Sequence, residues 1–144
     1  MKTQYQNLLG DKLGTSPVDG ATSAKLSVIV PVHNGAMHLS RCLESLRLSA
    51  YRDFEVIVVD DCSTDNSYEI AERYGVRCVR MLRTVGPAGA RNLGAGYAVA
   101  NIFVFVDADV VLPPNALDLI EILPWQPLYV NGASYYRSAL GPTM

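Results

Sequence analysis

Asp107 and Asp109 stand one residue apart where the apolar run of "FVFVDADVVLPP", Phe103 to Pro114, comes to a stop. Along an extended segment residues i and i+2 point to the same side, so the two carboxylates can address one spot. Such a pair suits a hard divalent cation, Mg²⁺ or Mn²⁺, which commonly takes one or two carboxylates and completes its shell with phosphate oxygens. Taken alone, the same pair reads equally well as a turn carrying two solvated acids.

Other chemically useful residues recur wherever an apolar run ends. "KLSVIVPVHN" closes on Pro31, His33 and Asn34, and "FEVIVVDD" closes on Asp60 and Asp61. "RTVGPAGARN" follows a weaker run and carries Arg83, Gly86 and Arg91. A glycine-rich entry to a helix offers backbone N–H groups and a helix N-terminus to phosphate oxygens, and an arginine adds charge. A carboxylate at the end of the second run can accept from a base N–H or a ribose hydroxyl. Together these residues describe a site for a nucleoside diphosphate with its metal. Plainer accounts exist for each. Asp60 and Asp61 are good capping residues, and one of them is expected to cap at "DDCSTD". His33 is more ordinary as a loop residue than as a base, Arg91 can snorkel to water, and the glycines can let a helix approach closely. Their shared position at strand ends is what favours the functional account.

The elements that must position these residues follow from periodicity. "KLSVIVPV", "FEVIVVDD", "VRCVRM" and "NIFVFVD" are short runs rich in β-branched or aromatic residues, the pattern of strands buried on both faces. The third is more polar and belongs at an edge. Leu39, Cys42, Leu43 and Leu46 recur at i, i+3, i+4 and i+7, the stripe of an amphipathic helix. A second helix runs through Ile70, Ala71 and Tyr74 to a terminating Gly75, and a small-residue helix follows "VGPAG". Strand starts near 26, 54, 77 and 102 recur about every 25 residues with a helix in each gap, the spacing of right-handed βαβ crossovers. The fold class is α/β: a doubly wound, Rossmann-like, mostly parallel sheet with helices on both faces. Ligands of such sheets bind beyond the carboxyl ends of the strands, where strand order reverses. Pro113 and Pro114 can open a last helix, "NALDLIEIL", and "LYVNGASYY" reads as one more strand and a turn.

Composition sets the outer limits. The chain has 144 residues, 49% hydrophobic and 18% charged, which suits one ordinary globular domain. A formal net charge of −2 supplies no basic field for a nucleic-acid backbone, so no nucleic-acid partner is expected. Cys42, Cys62 and Cys78 lack a C-x-x-C pairing and leave one thiol over in any disulfide scheme, which favours a reduced chain with all three as fillers. No run reaches the roughly 18 apolar residues of a membrane-spanning helix. Residues 1–24 read as a polar leader with no signal-peptide core. The expected location is cytoplasmic, with peripheral contact at the inner membrane surface as a further option.

Four ordered stretches carry a family resemblance: "SVIVPVHNGAMHLSRCLESL", "FEVIVVDDCSTDNS", "GPAGARNLGA" and "FVFVDADVVLPPNAL". Over about residues 26 to 120 the chain resembles the family 2 glycosyltransferases, the inverting group with the GT-A fold. The resemblance implies a nucleotide-sugar-binding domain over 25–123 and the start of an acceptor half over 124–144. It implies nucleotide contacts at Pro31, His33 and Asn34, with His33 standing where the family usually has tyrosine. It implies that Asp60, beside Asp61, contacts the base. Ala90-Arg91-Asn92 matches a motif that contacts the nucleotide sugar, and Asp107-Ala108-Asp109 matches the D-x-D that holds the metal bridging the diphosphate. The donor would be a UDP- or GDP-sugar, the cofactor Mn²⁺ or Mg²⁺, and the reaction a single displacement by an acceptor hydroxyl with inversion at the anomeric carbon. Members supply the catalytic base from an acidic motif in a longer downstream half. Asp118 and Glu121 do not match it, so the catalytic base and the acceptor stay unassigned.

Two alternatives have different consequences. A catalytically incomplete nucleotide-binding fragment would keep the same fold without chemistry. A phosphohydrolase of the haloacid dehalogenase type also uses an apolar strand followed by D-x-D, but on its first strand and with a later lysine, and no lysine follows Lys25. A dinucleotide-binding dehydrogenase is excluded because no G-x-G-x-x-G follows the first strand.

Overall fold

The computed structural model describes residues 24–122, 129–130 and 133–137. Four strands alternate with helices: β1 Leu26–Val32, α1 Ala36–Arg47, β2 Phe54–Asp60, α2 Ser67–Arg73, β3 Arg77–Arg80, α3 Gly86–Tyr97 and β4 Ile102–Val106. They are followed by α4 Ala116–Ile122 and the short strands β5 Tyr129–Val130 and β6 Ala133–Arg137. All four strands start where the sequence places them, near 26, 54, 77 and 102. The polar leader lies outside the described residues through position 23, as does most of 124–144.

The sheet runs β3-β2-β1-β4-β6-β5. β3, β2, β1 and β4 are mutually parallel, whereas β6 pairs antiparallel with both β4 and β5. The more polar β3 is at an edge, and "LYVNGASYY" supplies two short antiparallel strands rather than one. Strand order reverses between β1 and β4, because β2 and β3 extend the sheet on one side of β1 and β4 continues it on the other. Pairing of β1 with β2 continues to Val32↔Asp60, but pairing with β4 stops at Ile29↔Phe105. The two strands therefore part just before Pro31, which has no N–H to offer a further rung. Their carboxyl ends are thus free of each other where strand order reverses.

Alternation along the strands feeds two cores. Val28, Val30 and Val32 of β1 pack with Leu39, Cys42, Leu43 and Leu46 of α1 and with Ala116, Leu117 and Ile120 of α4. Ile29, Ile57, Val59 and Val79 face the other way, against Ala90 of α3. Helices thus cover both faces, with α1, α2 and α4 on one and α3 on the other. The chain between β4 and α4 also differs in detail from expectation: α4 begins at Ala116, whose N–H donates to the Pro113 carbonyl at 3.0 Å, so the two prolines form the turn before the helix.

Candidate functional site

The loops after β1 and β2 are fastened to each other by hydrogen bonds from both backbones. Asn34, at φ 49, donates its N–H to Ser63 Oγ at 2.9 Å and accepts the Thr64 N–H on Oδ1 at 2.8 Å. Gly35 N–H donates to Ser67 Oγ at 3.1 Å, and Ala36 N–H to Asp65 Oδ2 at 2.9 Å. His33 Nδ1 lies 2.7 Å from the Asp61 carbonyl, an acceptor only, so Nδ1 carries the proton. In the neutral ring Nε2 is then the acceptor, with Asn34 Nδ2 at 3.4 Å. The Asn34 side chain is therefore engaged in holding the loops, while the exposed His33 ring keeps one nitrogen lone pair at the rim.

Asp60 and Asp61 are both buried and have separate tasks. Asp60 Oδ1 accepts the Ser63 N–H at 3.1 Å, and Oδ2 lies 3.4 Å from Arg80 Nε in an ion pair without hydrogen-bond geometry. Asp61 accepts the Val85 N–H at 2.7 Å and the Gly86 N–H at 2.8 Å, one on each carboxylate oxygen. Val85 is the N-cap of α3 and Gly86 its first residue. One of the two aspartates does cap a helix, but it caps α3 rather than the helix that follows it in sequence. These two N–H groups, expected to face a phosphate, instead face the chain's own carboxylate. Between the aspartates and α2, Cys62 takes φ 59, a conformation that favours glycine.

Asp107 and Asp109 sit on a turn rather than on the strand. β4 ends at Val106, and the Val110 N–H donates to the Asp107 carbonyl at 3.0 Å. Strand alternation therefore does not govern the pair, because the backbone has already left the extended conformation. Both charges nevertheless act on one buried thiol. Cys42 Sγ lies 3.8 Å from the Asp107 carbonyl, and its thiol is pushed up to about 12 by burial, with the Asp109 and Asp107 charges adding to the effect. Gly35 packs here too: a Cβ at that position would lie 3.7 Å from Ala108 Cβ. Arg91 reaches the turn from α3, its Nη2 2.6 Å from Asp107 Oδ1.

The structure thus brings His33, Asn34, Asp60, Asp61, Gly86, Arg91, Asp107 and Asp109 to the carboxyl ends of β1, β2 and β4, with half-buried Pro31 where β1 leaves β4. Asp107 and Asp109 are exposed. No third His, Cys, Asp or Glu joins them among the described residues, so a hard cation held here would need phosphate oxygens and water to complete its shell. The donor set fits Mg²⁺ or Mn²⁺ in that sense. Sequence reasoning missed Arg80, which flanks Asp60 and lies over the Tyr68 ring with its guanidinium carbon 5.0 Å from the centroid. Its position at the end of β3 was the available signal. It also missed Asp65, which ties the start of α1 to Ser67. A cavity of about 460 Å³ lies elsewhere, between α1, Tyr74 and the Val111–Pro114 segment. Among the described residues no helix is long and apolar enough to cross a membrane.

Known proteins resemble this chain in sequence and fold. GlyG, a glycosyltransferase of Streptococcus pneumoniae serotype 4, is 33% identical over 103 residues, covering 68% of this chain and 34% of GlyG. The crystal structure of Staphylococcus aureus TarS 1–349 in complex with UDP-GlcNAc superposes with a TM-score of 0.65 at 33% identity, over 67% of this chain and 30% of that one. A mannosyltransferase of Pyrobaculum calidifontis in complex with GDP-Man and Mn²⁺ superposes with a TM-score of 0.71 over 93% of this chain and 51% of that one; at 20% identity it shows the fold alone. The chain spans between 13% and 34% of the length of the curated relatives it matches. Residues 27–137 match the model of the family described as glycosyl transferase family 2. With that match running from β1 to the end of β6, across every strand end described above, the chain belongs to glycosyl transferase family 2.

Proposed function

We propose that this chain binds a nucleotide-diphosphate sugar, a UDP- or GDP-sugar, as the donor part of an inverting hexosyltransferase. The observation that carries this reading is the convergence of Asp107, Asp109 and Arg91 with the His33–Asn34 and Asp60–Asp61 loops where strand order reverses. The complex of TarS 1–349 with UDP-GlcNAc, at 33% identity, supports the same class of donor.

In this reading the base and ribose lie along the loops after β1 and β2. His33 Nε2 is the exposed acceptor for N–H and O–H groups there, and the Asp60 carboxylate, fully buried between the Ser63 N–H and Arg80, would have to be uncovered to serve as a second one. Asn34 and Asp61 position the loops. The diphosphate lies toward the β4 turn, where Arg91 supplies positive charge. Asp107 and Asp109 would hold Mn²⁺ or Mg²⁺, which when bound supplies Lewis-acid neutralisation of the leaving diphosphate. Transfer is proposed for the whole protein: an acceptor hydroxyl oxygen forms a bond to the anomeric carbon as the bond to the β-phosphate oxygen breaks. The hydroxyl proton passes to a base. None of Asp118, Glu121 or the rim carboxylates is assigned that role.

Calorimetric titration of UDP, GDP and, as a comparison, ADP into the chain in the presence of Mn²⁺ tests the proposal. Saturable binding of UDP or GDP is expected, at least ten-fold tighter than ADP. Equal weak binding of all three would contradict it.

A further inference from the structure

Arg91 and Asp107 meet from different elements, α3 and the turn after β4, with Nη2 and Oδ1 2.6 Å apart. Their side chains keep 35% and 52% exposure, so an incoming ligand can reach both. Asp109, two residues along, has no ion-pair partner among the described residues. The two carboxylates of the turn therefore differ: one is already neutralised by a guanidinium and the other is not.

A cation entering this turn must share Asp107 with Arg91 or displace it. Two positive groups on one carboxylate repel, and the repulsion is stronger at a protein surface than in bulk water. The metal alone should therefore bind weakly. A diphosphate changes the balance, because it offers Arg91 a different anion whose oxygens match the planar guanidinium fork. Arg91 also has a donor in reserve: its Nε is buried and has no hydrogen-bond partner among the described residues. A buried donor left unmade is costly and invites a new acceptor when the side chain moves. Arg91 can then leave Asp107 to the cation as it turns to the phosphate.

We propose that Arg91 is a positioning residue that occupies Asp107 until a diphosphate arrives, and so makes metal binding depend on nucleotide binding. This rests on the donor-site reading above. By reciprocity the metal must strengthen nucleotide binding by the same factor as the nucleotide strengthens metal binding. Arg91 thus couples the loading of donor and metal by exchanging its Asp107 contact for a phosphate contact.

The test is the Mn²⁺ affinity of the whole chain, read by the loss of the free-ion electron paramagnetic resonance signal, with and without saturating UDP or GDP. In the native chain the nucleotide should strengthen Mn²⁺ binding. Arg91→Met should bind Mn²⁺ without nucleotide about five-fold more tightly, the scale of one partly exposed ion pair, and its enhancement by nucleotide should shrink. Arg91→Lys, which keeps the charge, should retain part of the enhancement and serves if the methionine variant fails to fold. Unchanged or weaker Mn²⁺ binding by a folded Arg91→Met, or full loss of the enhancement in Arg91→Lys, would overturn the coupling. An Asp109→Asn control separates the two ideas. If nucleotide-dependent Mn²⁺ binding is present and Asp109→Asn abolishes it, the donor site stands and only the role of Arg91 is in question. If the native chain shows no such binding, both readings fall.

Discussion

The carboxylate of Asp61 closes the N-terminus of α3, with Oδ2 2.8 Å from the Gly86 N–H and Oδ1 2.7 Å from the Val85 N–H. This bond pair links the end of β2 to the loop that carries Gly86 toward Arg91. A negative charge at a helix N-terminus is favourable, and the first N–H groups of a helix have no partner within it. Asp61→Asn keeps one acceptor oxygen and turns an NH₂ toward the other N–H. It is expected to lower stability by roughly 1–3 kcal/mol, the cost of a buried group left unpaired. Urea unfolding measures this, and an unchanged midpoint would show that water replaces the bond.

Two glycines of α3 should respond to alanine with opposite signs. At Gly94 a Cβ would collide with Ile29 Cγ2 and lie 3.1 Å from Val59 Cγ2, both in the sheet beneath. Gly94→Ala should destabilise by about 1–3 kcal/mol through overpacking, partly offset by helix propensity. At Gly96 a Cβ would meet nothing within 4 Å among the described residues, and Gly96→Ala should stabilise by up to about 1 kcal/mol. Thermal unfolding of the two variants decides whether close approach to the sheet is the reason for a glycine at 94.

Asp65 gives the loops an acid sensitivity. Burial works against its charge, but hydrogen bonds from Ser67 Oγ and from the Ala36 and Ser67 N–H groups outweigh it and hold the carboxyl below the usual aspartate range. Its stabilising contribution is complete above the unfolded aspartate value near 4 and is lost as pH falls through the lower folded value. The stability gap between the native chain and Asp65→Asn should therefore be constant near neutrality and narrow below about pH 4. A gap of the same size at all pH values would mean that the charge of Asp65 is irrelevant to those bonds.

Much of this architecture was legible before any coordinates. β-branched runs at fixed spacing located β1 to β4, and the Leu39-Cys42-Leu43-Leu46 stripe identified the buried face of α1. Asn34, Asp60, Asp61, Gly86, Arg91, Asp107 and Asp109 were singled out because residues at strand ends must share one rim in a parallel sheet. What sequence did not reveal was how the residues engage one another. Asp61 caps a helix that begins 25 positions later, a contact set by sheet order and not by local spacing. Asp107 and Asp109 lie on a turn because the β1–β4 ladder ends before them, and no alternation rule announces where a strand stops. Arg80 came into view only once β3 was placed beside β2.

The most direct test of the donor site is the metal dependence of nucleotide affinity in the native chain and in an Asp107→Ala, Asp109→Ala double variant. Calorimetry with UDP and GDP, with and without Mn²⁺, should show binding that Mn²⁺ strengthens by ten-fold or more in the native chain and leaves unchanged in the folded double variant. Binding that is indifferent to Mn²⁺ in both proteins would contradict a metal-bridged diphosphate at the β4 turn.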